Sequence, residues 1–244
     1  MHESLHAKWT IWIALTAIFT ALTTVGTVLL SISLPAGGYF NFGEAVIYIA
    51  ALSLGPINMR GSRVPLGAII AGIAGGLGAM LGDVILGYMQ YIPATICLKF
   101  AEGFVAGMIF KQLAPRNPEN RESGVTTIRV LLSGFFLAAA IIILGVNYDP
   151  GSLVLWIAIS GAFITIAFLS IMRGKIPLYY MALSLLAGGI VMFFGYFVYE
   201  LFILDIMYAY ANLPWNAIQA LIGIIVAIPV YQALQKATLF QSLS

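Results

Sequence analysis

From Trp9 to Ile32 the chain runs for more than twenty residues without a charge, and similar apolar runs recur to its far end. A helix of about 20 apolar residues crosses a bilayer, so this repetition leaves few folds open. Breaking the chain at its polar and Gly/Pro punctuation predicts eight spans, roughly 10–33, 43–59, 65–88, 92–111, 128–147, 151–172, 177–203 and 214–235. Charged residues make up 8% of the chain, against about 25% in a soluble domain, and the mean hydropathy is +1.02. The reading is an all-α, polytopic integral membrane protein forming one transmembrane domain over residues 1–244.

The basic residues test that division. Lys8 precedes the first span, Arg60 and Arg63 follow the second, and Lys111, Arg116, Arg121 and Arg129 surround the loop after the fourth. Arg173 and Lys175 follow the sixth span and Lys236 the eighth. Every alternate connection is basic, so the positive-inside rule places both termini in the cytoplasm. Lys99, inside the fourth span, is the exception among the eleven basic residues. No signal peptide is evident, and the first apolar run reads as a spanning helix. The single cysteine, Cys97, reads as a small buried apolar residue. Scattered basic residues give no nucleic-acid surface, and no residue cluster suggests a metal or another cofactor.

Ionisable groups inside a membrane are costly and face a cavity or a partner. Here they share one half of the bilayer. Glu44 starts the second span, Asp83 lies near the outer end of the third, and Glu200 lies near that of the seventh. Lys99 and Glu102 lie about 10–15 Å below the outer end of the fourth, at 1.5 Å per residue. Three stripes follow helical spacing: Thr95, Lys99 and Glu102; Met192, Tyr196 and Glu200; Asn216, Gln219 and Gly223. Lys99 is expected to pair with Glu102, or with Glu200 or Asp83 from a neighbouring helix. A plain interhelical ion pair, headgroup solvation of Asp83 and Glu200, and a helix start at Asn216 after Pro214 are the bland alternatives. A channel or pump needs polar groups along its whole path, whereas this pattern is a polar basin above an apolar floor.

Small residues mark close helix contacts. Gly72 and Gly76 form one small-xxx-small step in the third span, and Gly78 and Gly82 another. Ala14, Ala17 and Ala21 line the inner half of the first span, and the Ala17–Ala21 step is a candidate docking surface for another membrane helix or, equally, a packing surface within the chain.

The run Gly38-Tyr-Phe-Asn-Phe-Gly-Glu44, then Leu54-Gly-Pro56, Gly82-Asp83, Gly87-Tyr88, Pro93-Ala-Thr95 and Lys99-Phe-Ala-Glu-Gly103, continues in Gly195-Tyr196, Glu200, Pro214-Trp-Asn216 and Gln219. This ordered set resembles the substrate-capture (S) component of energy-coupling factor (ECF) vitamin transporters. The resemblance implies high-affinity capture of a vitamin or vitamin precursor from outside a prokaryotic cell. It also implies a transmembrane coupling (T) subunit and two cytoplasmic ATPases as partners, with toppling in the membrane to release the cargo. The loop after the first helix would act as a lid, and Ala14, Ala17 and Ala21 would face the T subunit. Candidate substrate-binding residues are then Tyr39, Asn41, Glu44, Asp83, Tyr91, Thr95, Lys99, Glu102, Tyr196, Glu200, Trp215, Asn216 and Gln219. The usual core has six helices. The surplus pair, about 128–172, reads as an insertion between core segments of about 8–112 and 177–238.

Two other classes compete. A stand-alone proton-coupled transporter could use Lys99, Glu102 and Asp83 as a relay, but lacks polar groups on the inner side. A membrane enzyme finds no H-E-x-x-H or G-x-S-x-G, and both histidines, His2 and His6, lie in the N-terminal tail. Without G-x-x-x-x-G-K-[ST], ATP hydrolysis must come from other subunits. Tyr39, Phe40, Tyr91, Tyr196 and Trp215 beside charges of both signs suit a flat pyrimidine, pyridine or flavin ring with a polar arm.

Overall fold

A computed structural model describes residues 2–34, 37–57, 65–113 and 176–236. Six helices account for most of them: α1 (His2–Leu29), α2 (Gly43–Leu54), α3 (Leu66–Leu86), α4 (Ile92–Leu113), α5 (Ile176–Ile203) and α6 (Ile206–Lys236). Two short antiparallel strands, β1 (Ile32–Ser33) and β2 (Tyr39–Phe40), form a hairpin between α1 and α2. The expected pair at 128–172 lies outside the described residues, as do Arg60, Arg63, Arg116, Arg121, Arg129, Arg173 and Lys175.

Five of the helices are long and apolar enough to cross a membrane, and α2 is not. Its 12 residues reach only about 18 Å at 1.5 Å per residue, short of a hydrocarbon core of about 30 Å. The expected span 43–59 is therefore shorter than predicted. Its sequence still explains its place. Apolar on every side, α2 belongs in an interior, and ten of its twelve residues are buried. It packs against α1, α3, α4 and α6 and so forms the centre of the bundle.

The glycines of α3 serve two interfaces. A Cβ on Gly72 or Gly76 would lie 2.8 Å from the Phe100 or Ile96 carbonyl oxygen of α4. On the α1 side, a Cβ on Gly78 would meet Cβ of Thr23 at 2.6 Å, and one on Gly82 would overlap Thr27. Thr24 also donates its hydroxyl to the Gly78 carbonyl at 3.0 Å. Both small-xxx-small steps thus act as packing devices, and backbones approach closely where a lipid-exposed helix has few other sources of affinity.

The last helix corrects the expected boundary. Pro214 does not open it; α6 starts at Ile206 and carries Pro214 and Pro229 in its interior. Asp205 sets the start, accepting a hydrogen bond from the Met207 amide at 2.9 Å, as an N-cap carboxylate does. A proline removes one helix donor and crowds the carbonyl four residues back, but packed neighbours make this tolerable in a membrane helix. Cys97 also differs from expectation: it is exposed on the outer face of α4.

Candidate functional site

The helices alternate in direction, so the end of α1, the start of α2, the end of α3, the start of α4, the end of α5 and the start of α6 meet on one side. Lys111 and Lys236 lie at the opposite helix ends. A cavity opens on the first side, holding about 470 Å³ of empty space including its mouth. Its lining comes from the hairpin (Gly38, Tyr39, Asn41), from α3 (Asp83), from α4 and the turn before it (Tyr91, Thr95, Lys99), and from α5 and α6.

Local conformation builds the rim. Gly37 and Gly38 take positive φ of 85° and 78°, a region open to glycine at little cost, and this turns the chain so that Tyr39 meets α3. The Tyr39 hydroxyl donates to Asp83 Oδ1 at 2.5 Å. Burial, with the Asp83 carboxylate adding to it, pushes the Tyr39 hydroxyl well above its ordinary pKa, so it stays a donor. Gly87, also left-handed, ends α3, and Met89–Tyr91 follows as a single 3₁₀ turn. The rings of Tyr88 and Tyr39 lie 4.7 Å apart, and Tyr91 sits 6.3 Å from Tyr196.

The floor is an ion-pair hub. Lys99 Nζ pairs with Glu44 Oε1 of α2 and, at 3.2 Å, with Glu102 Oε2 of its own helix. Gln219 Nε2 donates to Glu44 Oε1 at 2.5 Å, while its Oε1 accepts the Asn41 backbone amide at 3.0 Å. Asn41 Oδ1 in turn accepts the Gly43 amide at 2.8 Å. The ammonium also stands 5.3 Å from the Tyr196 ring centre, within cation–π range. Lys99 therefore uses Glu44, not Glu200 or Asp83, as its cross-helix partner. The reason is the short central helix: α2 begins level with Lys99, about 10 Å below the start of α4 at 1.5 Å per residue. Gly223 permits this, since a Cβ there would lie 2.8 Å from that of Glu44.

Above the hub, Thr95 Oγ1 and the Tyr196 hydroxyl share a hydrogen bond of 2.9 Å. Tyr91 donates to Glu200 Oε1 at 3.2 Å, and Asn212 Nδ2 donates to the same oxygen at 3.1 Å. Of the residues singled out in sequence, Tyr39, Asn41, Asp83, Tyr91, Thr95, Lys99, Tyr196, Glu200, Asn216 and Gln219 line the cavity together. Glu44 and Glu102, 1% and 0% exposed, lie beneath it and hold Lys99. Trp215 is 41% exposed and away from the lining, because one helical residue rotates about 100° from its neighbour Asn216. Asn212 was missed. It precedes Asn216 and Gln219 at i, i+4, i+7, but a span beginning at Pro214 hid the first member of that stripe. No group of three or more metal-ligating side chains occurs among the described residues.

The family model described as the ECF-type riboflavin transporter S component matches residues 9–172, more than half of the chain. The chain belongs to this family. A protein of Pyrococcus woesei, described as an uncharacterized protein in the gap 3′ region, is 33% identical over 138 residues, covering 54% of this chain and 76% of that protein. The S component is thus a multi-pass membrane protein of a transport family, not of an enzyme family, and vitamin-type uptake is the family's business. The matched region holds the hub residues Glu44, Lys99 and Glu102 together with Asp83 and Tyr91. Tyr196, Glu200, Asn212, Asn216 and Gln219 lie beyond it, and geometry alone joins them to the site.

Proposed function

We propose that this S component captures a flat heteroaromatic vitamin from outside the cell and delivers it to an ATP-driven importer. The observation that carries the reading is the cavity itself, where the hairpin and four helices converge tyrosine rings and polar side chains on one opening, the lining a small-molecule site needs. Tyrosine rings supply stacking surface, and Asn216, Gln219, Asp83 and Glu200 supply orienting polar groups. Riboflavin, named in the family's description, is the first ligand to test. The outward direction follows from the lysines at the other helix ends, which the positive-inside rule assigns to the cytoplasm with both termini.

Partners follow from what the chain lacks and exposes. It has no phosphate-binding G-x-x-x-x-G-K-[ST] loop, so a T subunit and two ATPases provide the coupling that the family implies. Ala14, Ala17 and Ala21 are exposed on α1, on a face where a second helix can approach closely. A proton relay is disfavoured: among the described residues, no buried carboxyl or ammonium group lies closer to the Lys111 end than Glu102. Mass spectrometry of small molecules retained by the detergent-purified chain tests the proposal. A heteroaromatic vitamin at about one per chain supports it, and retention of an unrelated solute contradicts it.

A further inference from the structure

We infer that Asp83 and Glu200 form an acceptor subsite that reads N–H or O–H donors on the ligand and turns away ligands bearing phosphate or carboxylate. This rests on the capture reading above. Among the described residues, the buried carboxyl and ammonium side chains are four carboxyls, Glu44, Asp83, Glu102 and Glu200, and one ammonium, Lys99. Lys99 already has two carboxylate partners in the hub. An anion entering the cavity therefore finds no unclaimed cation among the described lining residues.

Asp83 and Glu200 are held by neutral donors: the Tyr39 hydroxyl for one, the Tyr91 hydroxyl and Asn212 amide for the other. Those bonds use only part of their capacity. Glu200 Oε2 and Asn212 Oδ1, on residues 3% and 2% exposed, have no partner in the structure. Both residues line the cavity, and both open atoms are acceptors. A buried acceptor left unmatched is costly, so a hydroxyl or N–H from a ligand recovers what the empty site forfeits. An ionised phosphate or carboxylate oxygen offers these acceptors no donor and gives up its water on entry, and any charge on Asp83 or Glu200 adds repulsion. Discrimination then comes from the repulsive element as much as from the attractive one.

The test uses pairs that differ only in a phosphate: riboflavin and flavin mononucleotide, thiamine and thiamine monophosphate, pyridoxine and pyridoxine 5′-phosphate. Each is titrated calorimetrically against the full chain in detergent. Whichever parent binds, its phosphate ester is expected to bind at least roughly a hundredfold more weakly, the scale of buried like-charge contact. In D83N/E200Q, which keeps shape and removes charge, that ratio shrinks to about tenfold or less. An ester within about threefold of its parent in the wild type overturns the subsite. So does an unchanged ratio in a D83N/E200Q protein that still binds the parent. Should that variant fail to fold, the wild-type ratio decides. Binding of the thiamine or pyridoxine pair alone removes riboflavin as ligand while the subsite is still scored on that pair. Binding of none of the three parents overturns both readings.

Discussion

An ammonium about 10 Å inside a membrane helix end survives only where its charge is answered. Lys99 is answered twice, by Glu44 and Glu102, and Gln219 donates to the same Glu44 oxygen that Lys99 holds. Lys99→Ala strands two buried carboxyls, and breaking such a pair costs about 3–5 kcal/mol. Its melting temperature should fall further than that of any other single variant in the hub, read by thermal unfolding of the empty protein in detergent. Asn216→Ala behaves differently. Its amide nitrogen has no partner in the structure, so stability changes little while ligand affinity drops by about 1–3 kcal/mol, the cost of one unsatisfied buried partner. Equal loss of stability in the two variants would contradict this division. At the rim, Tyr39→Phe keeps the ring beside Tyr88 and removes the bond to Asp83. Ligand release should quicken by about fivefold, matching one hydrogen bond of about 1 kcal/mol. Because burial raises the Tyr39 pKa, the hydroxyl remains protonated below its ordinary value of about 10. Its contribution should therefore stay constant between about pH 6 and 9. Stopped-flow release traces on wild type and Tyr39→Phe check both statements.

Helices were legible in this sequence to different degrees, for reasons particular to each. α3 and α4 fall within a few residues of expectation because Pro65, Gly87 and Pro93 punctuate them. Pro214 reads as a start signal but lies inside α6, and Asn212 falls in the two turns before it. α2 is shorter than its apolar run suggests, since composition reports apolarity but not whether protein or lipid surrounds a helix. The same ambiguity hides the Glu44–Lys99 pair, which depends on α2 starting deep. The stripes at i, i+3, i+4 and i+7 fared better: Thr95, Lys99, Tyr196, Glu200, Asn216 and Gln219 all face the cavity, as helical geometry requires. The same geometry makes the α1–α3 contact vulnerable. Gly78→Leu places atoms where Thr23 stands, 2.6 Å from the first added carbon. Overpacking of this kind costs about 1–3 kcal/mol or more. The variant should unfold at lower temperature, whereas Val84→Leu, at a 41% exposed site on the same helix, should not.

Among the described residues the bundle is polarised along its axis, with a polar chamber at one end and no buried carboxyl or ammonium group beneath Glu102. These described helices can hold a ligand but offer it no charged route across. Enlarging Ala17 and Ala21 to leucine should abolish uptake in cells that contain the coupling subunits while leaving ligand affinity within about twofold, because these exposed positions are not part of the lining. Loss of binding in that variant would move the partner surface elsewhere. The central claim is capture without autonomous transport. The direct measurement is riboflavin retained by liposomes that contain only this chain, followed over time at saturating external ligand. The account predicts a rapid rise to about one molecule per outward-facing chain, then a plateau set by the amount of protein. Continued accumulation beyond the number of chains, with no partner subunit or ATP present, would contradict it.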